Sequence, residues 1–136
     1  MRSTRIVVAM TVGIMLLAGC ATGPGGETVN PFEALFQPSK AEQALSAGIK
    51  QFEDGEYADA TKNLQSALEL GLAGAPERAK AHKYLAFIHC VSGRPRQCQE
   101  EFRKALEETP RMELEPSEVG HPIWGPEFRN DKARVK

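Results

Sequence analysis

The stretch AEQALSAGIKQFEDGEYADATKNLQSAL, residues 41–68, and the stretch AKAHKYLAFIHCVSGRPRQCQEEFRKAL, residues 79–106, are two copies of one pattern set 38 residues apart. The offset pairs Ala41 with Ala79, Gly48 with Ala86, Gly55 with Gly93, Ala60 with Cys98, Leu64 with Phe102, Ala67 with Ala105 and Leu68 with Leu106. Small positions therefore align with small ones and large apolar positions with large ones. In each copy the small residues fall twelve and then seven apart, with a glycine seven after the first. Two antiparallel helices approach closely only where side chains are small. Gly48 and Ala86 on the first helices are thus expected to face Ala60 and Cys98 on the second, with Phe52, Leu64, Phe87 and Phe102 filling the space around them. Ser39 and Glu42 have capping-box spacing, Pro76 and Pro95 suit first helical turns, and Gly55 and Gly93 suit the turns between helices. The pattern predicts helices over 40–54, 57–70, 76–91 and 95–108, the last ended by Pro110.

Over residues 41 to 110 this spacing resembles the tetratricopeptide repeat, a helix-turn-helix unit of about 34 residues. Four extra residues separate the copies, around 71–75. The chain departs from the family at Ala44 and His82, where a large aromatic residue is usual. The resemblance implies an all-α domain of two repeats whose first helices line a concave, peptide-holding face. Carried over, the face comprises Glu42, Leu45, Ile49 and Phe52 in one copy and Lys80, Lys83, Phe87 and Cys90 in the other. It reads as apolar in its middle with an exposed basic pair, Lys80 and Lys83, at one side. Such a groove favours a peptide with an apolar anchor and an acidic group or terminal carboxylate. The other reading is that the chain covers these apolar positions itself.

Two repeats are few, since stacked units need about three plus caps to bury a continuous core. Residues 111–136 are expected to supply the cap. Gly120, Pro122, Gly125 and Pro126 shape a turn, a short helix is predicted over 125–134, and Trp124 and Phe128 are placed to cover the flank of the second repeat. The alternative assigns His121, Trp124 and Phe128 to partner docking.

Upstream of the repeats, Arg2 and Arg5 precede an apolar stretch from Ile6 to Leu17, and Leu16-Leu17-Ala18-Gly19-Cys20 closes it. A basic end, a short apolar run and small residues before the cut are the order of a signal peptide. With cysteine after the cut the arrangement resembles the lipobox of bacterial lipoproteins. The resemblance implies a signal peptide over 1–19 and acyl chains on the thiol and new amine of Cys20. Several chains anchor a protein almost permanently, at about 0.8 kcal/mol per buried methylene. Ala21, in place of the aspartate that retains such proteins in the inner membrane, implies the periplasmic face of the outer membrane. Residues 20–39 then read as a lipidated tether, with Gly23, Pro24, Gly25 and Gly26 for flexibility and Pro31 and Pro38 against long helices. Phe32, Leu35 and Phe36 interrupt it as a short apolar face, suited to covering the domain or to docking elsewhere.

Cys90 and Cys98 flank the predicted turn of the second repeat. In an oxidising compartment the pair is expected to form a disulfide, with two buried thiols or a redox pair as the other readings. Catalytic chemistry is not in evidence. His82 and His89 are seven apart, about 10 Å along a helix and too far for one metal, and His121 is isolated. No nucleophile has a base beside it, and no glycine loop follows a strand. At a net charge of −1, lowered further if the leader with Arg2 and Arg5 is removed, the chain has no basic excess for nucleic acid.

The expectation is a non-enzymatic adaptor without metal, cofactor or small-molecule substrate. It would bind a periplasmic protein partner as an accessory factor of a secretion, pilus or envelope machine. The alternative role is a structural link from the outer membrane to peptidoglycan or to wall-modifying enzymes.

Overall fold

Six helices make up the computed structural model, which describes residues 37–135. They are α1 (Lys40–Glu53), α2 (Tyr57–Leu70), α3 (Ala75–Val91), α4 (Pro95–Glu108), α5 (Pro116–Val119) and α6 (Trp124–Arg134). The leader, Cys20, and Phe32, Leu35 and Phe36 lie outside the described residues. No described helix is long and apolar enough to cross a membrane.

The first helix starts where the capping box requires: the Ser39 hydroxyl accepts from the Glu42 backbone N–H at 3.2 Å, and the Glu42 carboxylate accepts from the Ser39 N–H at 2.7 Å. Those bonds hold the Glu42 carboxyl below the usual carboxylate range. Gly55 and Gly93 end the first helix of each hairpin at φ of 80° and 68°, a left-handed backbone that residues with a Cβ resist. Pro76 and Pro95 stand in the first turns of α3 and α4, where a missing N–H costs nothing.

The expected pairing is observed: α1 packs on α2, α3 on α4, and α2 on α3 stacks the hairpins. Close approach within the first hairpin rests on Gly48, whose nearest contact across the pair is Leu64. A Cβ at Gly48 would lie 2.8 Å from Leu64 Cγ and 3.1 Å from its backbone nitrogen. One cluster joins Leu45, Ala60, Leu64, Ala67, Leu85 and Ile88 across the stack. Leu72, from the extra residues between repeats, plugs the same cluster, and Arg78 ties down that loop by donating to the Leu72 and Ala73 carbonyls.

The tail caps the second repeat, with α6 packed on α4 and α3. Its helix begins at Trp124, one residue earlier than predicted, and a further short helix, α5, precedes it. Trp124 and Phe128 enter a second cluster with Phe87, Cys90, Cys98, Phe102 and Leu106. Cys90 and Cys98 are joined by a disulfide across the α3–α4 turn, with Cα atoms 5.1 Å apart.

Candidate functional site: the inner face and its tail

The inner face is built from α1 and α3, and the two halves differ. On α3, Phe87 is buried under Trp124, whose ring stacks on it at 4.4 Å between centroids. His121 stacks on Trp124 nearly parallel, at 3.2 Å. The indole Nε1–H donates to the Glu118 carbonyl at 3.1 Å, so the polar edge of the ring is satisfied where the rest is buried. Phe128 meets Phe102 edge to face at 5.3 Å. Phe52 reaches over from α1 to within 6.3 Å of Trp124, 5.9 Å of Phe87 and 5.2 Å of Tyr84.

Lys83 corrects the sequence reading. It is not an exposed member of a basic pair: the residue is 5% exposed, and its ammonium donates to both Glu118 oxygens, at 2.7 and 2.9 Å. The ammonium also lies 5.0 Å from the Tyr84 ring centroid and 5.6 Å from that of Phe87, an arrangement favourable to a desolvated cation. The physical reason is the tail. By closing over α3 it removes water from Lys83, and a buried ammonium persists only with a partner, which α5 supplies. Lys80 stays exposed beside a cleft of about 180 Å³ also lined by Pro76, Ala79, Met112 and Glu115.

Other members of the inferred face are likewise committed to the fold. Leu45 belongs to the first core cluster and Cys90 to the disulfide. The Glu42 carboxylate is held by its cap. Ile49 and Phe52 are partly buried against the first cluster. Phe87, Trp124 and Phe128 are interior, and His121 is half-buried. Two residues that the sequence reading missed belong to the surface, Tyr84 and Glu118. The Glu115-Pro116-Ser117-Glu118 order was the available signal for Glu118: proline at a first turn with an acid at the third position, whose carboxylate accepts from the Glu115 backbone N–H at 2.9 Å.

Burial pushes the Tyr84 hydroxyl up to about 12, with the charges of Glu118, Glu115 and Glu53 adding to the effect. On the outer side His82 Nδ1 and Glu101 Oε2 are 2.6 Å apart, and Lys104 donates to Glu101 at 2.8 Å. Burial would raise the Glu101 carboxyl, but these partners outweigh it and hold it low. His89 lies apart, pushed down by burial and by Arg94, with Nδ1 lacking a hydrogen-bond partner. Among the described residues no group of three or more His, Cys, Asp or Glu side chains is placed to hold a metal.

No family model matches the chain. No solved structure matches it. Among curated proteins it is similar to the Photosystem I assembly protein Ycf3 of Synechococcus sp. (strain CC9605), with 36% identity over 65 residues. The similarity covers 48% of this chain and 37% of that protein, so the chain spans little more than a third of the relative's length. Paired helix hairpins, the small-residue spacing that brings them together and the helical cap give this protein a tetratricopeptide-like all-α repeat fold.

Proposed function

We propose that the protein is a non-enzymatic scaffold that binds another protein along its repeat pair. The observation that carries this reading is the division of the inner face. The chain fills the α3 half with its own Trp124, while the partly buried rings of Phe52 and Tyr84 run out to Tyr57, which is exposed. The similar protein is named for assembly, and the role of assembly or accessory factor is the one we assign here.

The site of action we propose is the periplasmic face of the outer membrane, with acylated Cys20 as the anchor. The order Arg2, Arg5, apolar Ile6 to Leu17, then Ala18-Gly19-Cys20-Ala21 supports this, and a Cys90–Cys98 disulfide suits an oxidising compartment. A secretion, pilus or envelope machine is the setting we favour.

Crosslinking in intact cells followed by purification tests the scaffold. One protein should be recovered repeatedly, and recovery of muropeptides alone would replace this reading with a wall-linking one. Cys20→Ser should release the protein from membranes in fractionation. Retention of that variant in the outer membrane against high salt would remove the anchor.

A further inference from the structure

Phe52 sits 5.7 Å from Tyr57, 5.2 Å from Tyr84 and 6.3 Å from Trp124, so the rings form one cluster where α1 ends beside the tail. Tyr57 is 40% exposed, and on the tail Val119 and Ile123, neighbours of Glu118 and Trp124, are 47% and 48% exposed. Apolar area kept in water at a place already rich in aromatic contact marks an interaction surface.

The charges around it are predominantly of one sign. Glu53, Asp54 and Glu56 follow Phe52 at the C-terminal end of α1, where the helix dipole is itself negative, and Glu115 and Glu118 approach from the tail. Three of the cations nearby are engaged: Lys50 pairs with Asp54 and Lys83 with Glu118, and Arg129 donates to the Val119 carbonyl, while Lys80, which lines a cleft with Glu115, forms no ion pair with another described residue. Glu53, Glu56 and Glu115 form no ion pair with another described residue. Burial raises the Tyr84 hydroxyl, and the charges of Glu118, Glu115 and Glu53 act on it in the same direction.

Building on the scaffold reading, we propose that this surface takes a basic, apolar-faced segment of the partner protein. Its apolar side chains would cover Phe52, Tyr57 and Tyr84. Its lysine or arginine groups would reach Glu53, Glu56 and Glu115, with the exposed Tyr57 ring offered for cation–π contact. This reverses the acidic peptide that an exposed Lys80–Lys83 pair suggested. The chain's own Phe32, Leu35 and Phe36 are a poorer match, because residues 21–36 carry Glu27 and Glu33 and no base. A second copy would set the same acids against themselves.

The test uses the full chain in neutral-lipid nanodiscs, with empty nanodiscs as the blank, and two fluorescent amphipathic peptides, one of leucine and lysine and one of leucine and glutamate. The lysine peptide should bind, and salt should weaken it. Glu53→Gln with Glu56→Gln, and separately Tyr57→Ser, should each lower its affinity about threefold to tenfold, while Lys80→Glu should not lower it. Equal binding of both peptides, or of neither, overturns the proposal. So does preference for the glutamate peptide abolished by Lys80→Glu. Tighter lysine-peptide binding after Phe32, Leu35 and Phe36 are replaced by serine would give the surface to the chain's own segment. A dimer in sedimentation that Tyr57→Ser dissociates would give it to a second copy. In each case a crosslinked partner that persists in cells leaves the scaffold standing, and only its loss removes both.

Discussion

Lys83→Met is the substitution that closure of the tail makes most consequential. Methionine keeps the volume of the lysine stem against Tyr84 and Phe87, so packing changes little. What disappears is the charge and its two hydrogen bonds to Glu118. The Glu118 carboxylate then keeps the Glu115 backbone N–H at 2.9 Å, on a side chain only 12% exposed. Removing one partner of a buried ion pair costs about 3–5 kcal/mol. The surviving hydrogen bond and the residual access of water bring the expected loss to about 2–3 kcal/mol. Lys83→Met combined with Glu118→Leu removes both charges and should lie within about 1 kcal/mol of the parent, since a buried pair and an apolar pair of similar shape nearly balance. Glu118→Leu alone strands the Lys83 ammonium, whose side chain is 7% exposed, and should cost about 3–5 kcal/mol, so the coupling between the two sites should be about 4 kcal/mol or more. Urea unfolding of the oxidised chain measures it, followed by helical circular dichroism and by the fluorescence of Trp124, the only tryptophan. A Lys83→Met variant within about 0.5 kcal/mol of the parent, or two single losses that simply add, would refute the argument that the tail desolvates this pair.

Other consequences of the same packing are open to measurement. Trp124→Ala removes the stacking on Phe87 and the bond to the Glu118 carbonyl, and should cost about 3–5 kcal/mol in the same unfolding assay; a neutral result would mean that the tail does not cap the repeats. Thiol labelling of Cys90 and Cys98 should be negligible until reductant is added, and reduction should lower stability by about 2.5 kcal/mol, the loop entropy for a separation of 8 residues, while helicity at room temperature persists. Burial holds the Asp131 carboxyl above its ordinary value, with Arg134 offsetting part of the rise, and its Oδ2 has no partner. Because the folded pKa lies above the unfolded one, ionisation of this group takes stability away as pH rises through the ordinary aspartate range to the folded pKa. Asp131→Asn should thus add up to about 1 kcal/mol at neutral pH and nothing well below that range, which a pH series of urea unfolding curves would show.

Much of the fold was legible because its signals are local and repeated. The spacing of Gly48, Ala60, Ala86 and Cys98 specified the hairpins, and Ser39 with Glu42 specified where the first helix begins. The tail was legible in its aromatic residues, since Trp124 and Phe128 had only one flank to cover. The inner face was less so. Helical position placed Lys83 on that face, but whether it meets water depends on Glu118, 35 residues further on and carried by a four-residue helix. Phe87 has the same periodicity whether it lines a groove or lies beneath Trp124. Burial of a face is settled by what packs on it, and here that is a segment rich in glycine and proline whose path no periodicity encodes.

The disulfide and the tail both fasten the same hairpin. The turn between α3 and α4 is closed covalently and α6 is laid across the pair, whereas the turn between α1 and α2 has no such tie, and that hairpin meets the other described helices chiefly through α2 on α3. Such a molecule opens in two stages of unequal depth, with α1 and α2 loosening as a shallow cooperative unit while α3, α4 and the tail exchange their amide hydrogens only on global unfolding. The aromatic edge formed by Phe52, Tyr57 and Tyr84 straddles the boundary between those units, so whatever binds there closes the seam along which the molecule would otherwise first come apart.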